Sequence, residues 1–472
     1  MTDSNSEAPV KNGADRIELI NENHDVLNAV RRLKTGDKSA LAEAAGVSWP
    51  TLNKDIKKLE NERAVQLIKN SDPGEYIYEV NPNYAYFIGM ALANDSIKLS
   101  ICDFAFHALT KGDLVERKFD HLHKHLSFNE TGENKHVISF DIEPGLRAMM
   151  DKTNEVVGIF LAEKSESFNL LGITIAFPGY INYDSRMFAF SPHVQELSET
   201  HLDELVLPEM KKSLDERNIF LYFENDSESA AIFSKESLFL KESLFLSDDE
   251  ELYALRNKKN VACIYISVGI GLGLVLNNEL FRGGTNTAGE IGHILAPDFF
   301  NILTPTDEEK EDKDYYFEDG VKEENKKLPL CKCGRYDCLE NKLKLDVFNT
   351  NNWGDFYKKT TPEKLRDFAN THKFRYRVLG EYISYMFNLL INLFNLDIII
   401  ISGRIVKNIE AMNKNHLELL KRTSALKLPS SACKCSISNN ERAVLIGSAM
   451  AAYYRCGYKD QEDPINVRWL HT

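Results

Sequence analysis

The sequence lacks an uninterrupted apolar run long enough to cross a bilayer. The nearest approach, Tyr382–Ile401, is broken by Asn388, Asn392, Asn395 and Asp397, so it predicts a buried helix running into a strand. It also lacks the basic start and apolar core of a secretory signal, and residues 1–20 are expected to form a disordered tail. Positive charge is in deficit. The 57 Lys and Arg face 71 Asp and Glu, a formal net charge of −14, which repels nucleic acid unless a local basic patch offsets it. The eight cysteines accompany no export signal, which points to a reducing interior where clustered thiols bind metal more often than they form disulfides. The expectation is a cytoplasmic protein with no membrane partner. At 472 residues it has room for several domains.

One stretch dominates what is present. Val261–Ile266 is an apolar run of strand length, followed by Gly269-Ile270-Gly271-Leu272-Gly273 and a second apolar run, Leu274–Leu276. Two strands joined by a Gly-rich turn allow close approach of backbone to a ligand or another strand. Gly289-Glu290-Ile291-Gly292-His293 then sets a carboxylate and an imidazole three residues apart, so that a helical turn would aim both at one point. Beyond a charged insert (about 298–328) stand Cys331, Cys333 and Cys338. With His293 these thiols make a Cys3His set suited to tetrahedral zinc. Four protein ligands leave no open position, so the zinc is expected to be structural. It would tie the turn bearing Glu290 to the turn bearing Glu340, presenting both carboxylates to vicinal hydroxyls.

These residues resemble the ROK family (repressors, open reading frames and sugar kinases). The family pairs Glu-x-Gly-His with Cys-x-Cys-Gly-x-x-Gly-Cys-x-Glu, and both elements are present, with Asp337 replacing the second Gly of the Cys element. The resemblance extends over most of residues 22–457. It implies an α/β fold: a duplicated actin-like (ribonuclease H-like) domain of two lobes over 83–472, behind an N-terminal head. It also implies a sugar site at Gly179, Asn225, Asp226, Glu290, His293 and Glu340. Pro178-Gly179 reads almost as well as a simple strand-ending turn, and Asn225-Asp226 as a common turn dipeptide.

Residues 21–82 read as a winged helix-turn-helix. Val26, Leu27, Val30 and Leu33 form an apolar stripe. A second helix, Ser39–Ala45, is capped by Ser39 and ends at Gly46. A third follows with Pro50 at its first position and Ser48 or Trp49 before it. Leu52, Ile56 and Leu59 would face inward. Val65–Ile68 and Tyr76–Val80 flank Asp72-Pro73-Gly74 as a wing. Over residues 28–70, nine Lys and Arg against five Asp and Glu give a balance of +4. A basic module on an acidic body is the footprint of a DNA-binding head, with Ser48, Trp49, Thr51, Asn53, Lys54 and Lys57 as the contact residues. The competing reading is a three-helix adaptor with solvated lysines.

Further strands are expected at Tyr86–Leu92, Ile97–Phe104, Val115–Phe119, Leu170–Phe177, Tyr180–Tyr183, Ile219–Phe223 and Asp397–Ile401. Helices are expected at Phe374–Phe394 and Asn440–Tyr454, with Gly447 permitting close approach. Cys433 and Cys435 read as strand residues on one face. The tandem KESLFL at Lys235–Leu240 and Lys241–Leu246 reads as a local duplication lengthening a helix, and Asp307–Lys327 as a charged surface loop.

Against the family's kinases, three nucleotide elements are altered. Ala91 stands at the expected Asp of the first phosphate loop, Val268 at a Thr, and Ser402 at the first Gly of a Gly-Gly step. Three functions compete. The first is a sugar-responsive transcriptional regulator, a homodimer or homotetramer binding a double-stranded operator and a sugar or sugar phosphate in the lobes' cleft. The second is an ATP-dependent sugar kinase with Asp226 as base. The third is a protein-binding scaffold. Losing phosphate positioning removes most of phosphoryl-transfer catalysis, so the first is favoured.

Overall fold

The computed structural model describes residues 13–69, 76–93, 95–129, 135–183, 185–191, 195–238, 258–267, 269–310, 330–331, 333–348, 360–403, 409–424, 432–437 and 442–456. The wing turn at 72–74, Val268, the second KESLFL copy and most of the charged insert lie outside them. Two compact units are present, the first built mainly from residues 1–233 and 444–472, the second mainly from 234–277 and 281–443.

The head belongs to the first unit. Helices α1 (Gly13–Glu22), α2 (His24–Leu33), α3 (Lys38–Ala45) and α4 (Trp49–Asn61) precede an antiparallel strand pair, β1 (Val65–Lys69) with β2 (Tyr76–Val80), where a wing is expected. Residues 13–20 of the expected tail are therefore helical, with Ile17, Leu19 and Ile20 buried. The cap of α3 is Asp37 rather than Ser39: its Oδ1 accepts the Ser39 N–H at 2.8 Å and the Ala40 N–H at 3.4 Å, satisfying otherwise unpaired first-turn donors. Ser48 caps α4 by accepting the Thr51 N–H at 3.3 Å, and Pro50 sits in its first turn. Leu52, Ile56 and Leu59 turn inward as their spacing requires.

The body has the duplicated α/β architecture. The first five-stranded sheet is ordered β5-β4-β3-β6-β9, from β3 (Tyr86–Leu92), β4 (Ser96–Asp103), β5 (Ile138–Asp141), β6 (Leu170–Phe177) and β9 (Phe220–Asn225). The second is ordered β12-β11-β10-β13-β14, from β10 (Val261–Ile266), β11 (Ile270–Leu276), β12 (Glu279–Leu280), β13 (Ile398–Ser402) and β14 (Lys434–Ile437). Each central strand pairs antiparallel with its hairpin partner on one side and parallel on the other: β3 with β4 and β6, β10 with β11 and β13. Parallel strands buried on both faces need continuous apolar runs, and Ile398–Ile401 supplies one. A small hairpin, β7 (Tyr180–Asn182) with β8 (Met187–Phe190), follows β6.

Three sequence expectations change in detail. Val115–Phe119 is not a strand. Lys111–Glu116 is helical, because Thr110 and Asp113 close a reciprocal capping box. The glycines of 269–273 do not all form a turn, since Gly271 and Gly273 lie within β11, opposite Tyr265 and Cys263. Part of the charged segment, Asp307–Lys310, is helical.

Two helices fix the cores. Lys373–Phe394 buries Phe374, Val378, Tyr382, Ile383, Phe387 and Ile391 in the second unit, and ends at Asn395 in a left-handed conformation before β13. No helix among the described residues is long and apolar enough to cross a membrane. In the first unit, Ala443–Cys456 crosses β3 where only glycine fits: a Cβ on Gly89 would sit 1.7 Å from the Leu445 carbonyl oxygen.

Candidate functional site

The second unit contains the thiol and imidazole cluster. A 3-10 turn at Ile291–His293, with Glu290 just before it, lies directly on the backbone of β11. The Gly289 carbonyl accepts the Leu272 N–H at 3.0 Å. A Cβ on Gly289 would lie 1.9 Å from the Leu272 oxygen, and one on Gly292 2.5 Å from that of Ile270. Those two glycines are needed to seat the turn. After His293 the chain runs beside the segment carrying Cys338, with Ala296 N–H to Asp337 O at 3.2 Å and Leu339 N–H to Ile294 O at 2.9 Å. Cys331 opens a knuckle closed by Gly334 N–H to Cys331 O at 2.8 Å, with Gly334 at φ +85°.

This backbone pairing gathers His293, Cys331, Cys333 and Cys338, whose ligand atoms all lie within 4.8 Å of one another. His293 Nδ1 is 3.6 Å from Cys331 Sγ, while its Nε2 faces Glu290 Oε2 at 3.9 Å. The Cys338 thiol holds Cys331 down to about 3, helped by His293, against the effect of burial. Burial opposes the His293 imidazolium, but Cys331 and the nearby carboxylates raise its pKa overall. Three sulfurs and one nitrogen at this spacing, one sulfur already favouring the thiolate, fit a single tetrahedral cation.

Beside the cluster, Glu340 is buried and engaged through both oxygens. Oε2 accepts the Ile270 N–H at 3.1 Å and Oε1 binds Lys344 Nζ at 2.9 Å. Glu290 is a third exposed. Sequence reasoning missed Lys344, although its i+4 spacing from Glu340 was a usable signal.

The first unit brings together the other three expected sugar residues. Gly179 sits at φ +154°, with Phe190 O only 2.7 Å from where a Cβ would be. Its carbonyl accepts Asn225 Nδ2 at 2.8 Å. Asn225 Oδ1 in turn accepts from Ser227 N at 2.9 Å, and Asp226 opens helix Asp226–Ser237. Burial pushes the Asp226 carboxyl up to about 7, although its Oδ1 accepts the Ser227 N–H at 2.7 Å.

On the head, Trp49, Thr51, Lys54 and Lys57 are exposed on α4, with Trp49 at 56%. Ser48 and Thr51 hydroxyls meet at 2.7 Å. Asn53 is less available. Its Oδ1 accepts Lys38 Nζ at 2.7 Å and its Nδ2 donates to Trp49 O at 3.1 Å. The first nucleotide element has no carboxylate at Ala91, and Ser402 is buried at the end of β13.

Residues 245–453 match the ROK family model. The chain is 23% identical over 291 residues to a xylose repressor of Staphylococcus xylosus, covering 60% of this chain and 63% of that protein. It is 24% identical over 263 residues to a xylose repressor of Bacillus subtilis (strain 168), covering 54% and 56%. The match thus spans less than two thirds of either relative. Among solved structures, a ROK family transcriptional regulator described as a homologue of the E. coli MLC protein superposes with TM-score 0.58 and 16% identity, covering 92% of this chain and 98% of that one.

Proposed function

We propose, from the premise that residues 245–453 belong to the ROK family, that this chain is a sugar-responsive DNA-binding repressor. Its head binds a double-stranded operator. Ser48 caps α4, Trp49, Thr51, Lys54 and Lys57 face the duplex, and Asn53 is oriented by Lys38. The effector is a sugar or sugar phosphate, with xylose the first to test because the relatives are named for it. Its contacts are assigned to Gly179, Asn225 and Asp226 in the first unit and to Glu290, His293 and Glu340 in the second. His293, Cys331, Cys333 and Cys338 hold a structural zinc, which would fix the turns that bear Glu290 and Glu340. As in other regulators of palindromic sites, the chain acts as a homodimer or homotetramer.

The observation carrying the reading is the exposed row on α4 within a locally basic head. In a chain of net charge −14, a locally basic face with exposed lysines is suited to neutralising phosphates. The kinase alternative lacks a carboxylate at Ala91 and a hydroxyl at Val268, the groups that would organise magnesium and the transferred phosphate.

The test is selection of a duplex from a random pool by the full chain. Retention should fall steeply with salt and change on adding D-xylose or another member of a pentose and hexose panel. No selected sequence, or no salt slope, favours the scaffold reading. Sugar-dependent ATP turnover favours the kinase.

A further inference from the structure

We propose that Arg455 is a positioning residue for the Asn225–Asp226 pair, and that its helix, Ala443–Cys456, links that pair to the DNA-binding head at Tyr453. The inference rests on the functional reading above but uses contacts that reading does not assign. All of them lie within the first unit.

At the effector end, Glu224 is fully buried at the strand end immediately before the pair. Arg455 donates to Glu224 Oε2 at 2.7 Å and to Phe223 O at 3.0 Å. Glu224 Oε1 accepts the Tyr183 hydroxyl at 2.9 Å and the Asn225 N–H at 3.2 Å. One carboxylate therefore joins the Asn225 backbone to the guanidinium. A buried ion pair is costly to break on one side only, so movement at Asn225 is resisted by Arg455 or shared with it. The same helix grips the element that Asp226 opens. A Cβ on Gly447 would lie 1.8 Å from the Ser229 carbonyl oxygen, and the Ser448 and Ser229 hydroxyls are 3.1 Å apart.

At the head end, Tyr453 donates its hydroxyl to Asn28 Oδ1 at 3.1 Å. His24 stacks on the Tyr453 ring with centroids 5.4 Å apart. The Arg31 guanidinium lies 4.3 Å from the centroids of both Tyr453 and Phe106, donates to Asn28 Oδ1 at 3.0 Å and to Phe104 O at 2.9 Å. His24, Asn28 and Arg31 all sit on α2, a helix of the head, and all are buried. Positions 453 and 455 are about 200° apart around a helix at 3.6 residues per turn. Tyr453 therefore faces the head while Arg455 faces the strand end. Buried polar networks of this kind shift between discrete satisfied arrangements rather than by small degrees, which suits a two-state device that an effector can bias.

The experiment uses the full chain, the duplex selected by the wild type, and D-xylose as the probe. Tyr453→Phe keeps the ring and removes the hydroxyl. It should leave DNA affinity without xylose, and xylose affinity without DNA, within about threefold, while the ratio of DNA affinities with and without xylose falls to about one. Arg455→Lys keeps the charge but not the two-pronged geometry, and should weaken xylose binding by about tenfold. Given a wild type that responds to xylose, a Tyr453→Phe chain with the wild-type ratio, or an Arg455→Lys chain with wild-type xylose affinity, overturns the proposal.

Amide hydrogen exchange without either ligand separates this from the functional reading. Tyr453→Phe should speed exchange in residues 24–33 and 224–229 and leave 398–402 unchanged. A uniform change, or none, overturns the link. A wild-type chain that ignores xylose while Tyr453→Phe gives the localised exchange pattern supports the link and counts against the assigned effector.

Discussion

Glu340 Oε2 accepts the Ile270 N–H at 3.1 Å, tying the turn after the cysteines to the first residue of the Gly-rich strand. With Oε1 held by Lys344, this carboxylate is committed to the fold before any ligand arrives, whereas Glu290 is a third exposed. The two glutamates should therefore respond differently. Glu290→Gln is expected to weaken sugar binding by about tenfold with little change in Tm, the loss of one charged acceptor. Glu340→Ala orphans the Ile270 N–H and the Lys344 ammonium, and should lower Tm by several degrees, about 1–3 kcal/mol, as well as affinity. Calorimetric titration with D-xylose and thermal denaturation of both variants make the comparison. Equal losses of affinity with unchanged stability would mean that Glu340 is a ligand contact and nothing more.

The cluster of His293 with the three cysteines should carry one zinc per chain in protein purified under reducing conditions. Native mass spectrometry reads this directly, without relying on activity. Cys338→Ser should release most of the metal and lower Tm, because binding energy in a closed four-ligand site is folding energy. A chain that is metal-free yet fully stable, and unchanged by the substitution, would remove zinc from the account.

On α4, Lys54 and Lys57 are exposed, whereas Lys58 is paired with Glu22 of α1. Lys54→Ala and Lys57→Ala should each lower DNA affinity at low salt and reduce the slope of log affinity against log salt by about one. Lys58→Ala should leave the slope near the wild-type value. Fluorescence anisotropy across a salt series distinguishes them, and a slope unaffected by Lys54 and Lys57 would place the DNA surface elsewhere.

What could be read from the sequence follows the range over which each feature is encoded. Tyr86–Leu92 and Val261–Ile266 were legible to the residue as strands because continuous apolar runs specify buried strands locally. The His and Cys cluster was legible because three of its four residues fall within eight positions, Cys331 to Cys338. Val115–Phe119 was misread because a capping box two to five residues upstream outweighs the β-propensity of a Val and a Phe. The α3 cap lies two residues before the expected Ser39, since Asp37 and Ser39 are both good caps and only geometry chooses between them. The joint of Tyr453 with Asn28 spans 425 positions and that of Arg455 with Glu224 spans 231. Pairings at such separations leave no local trace in a single sequence.

Asp226, assigned above to the proposed sugar site, carries a cost in stability. Burial raises its carboxyl from an ordinary 3.8 to about 7, so the folded chain binds this proton more tightly than the unfolded chain does. Its stabilising contribution is complete below about pH 4 and is lost as pH rises through 7. Asp226→Asn removes that dependence, and its amide oxygen can still accept the Ser227 N–H that Asp226 takes at 2.7 Å. The variant should match the wild type near pH 4 and exceed it increasingly up to about pH 7, then hold a constant advantage of about 1–4 kcal/mol. His24 works in the opposite direction: burial lowers its pKa, so folding loses stability as pH falls below about 6.5. That slope is common to both proteins and cancels in the difference. Urea denaturation of the pair from pH 4 to 8 gives the curve, and xylose titration at pH 8 should show the variant's affinity reduced by about tenfold or more. A difference in stability that is flat with pH would mean that the carboxyl titrates near its ordinary value and has been left in water, where it would gain no advantage as an acceptor for sugar hydroxyls.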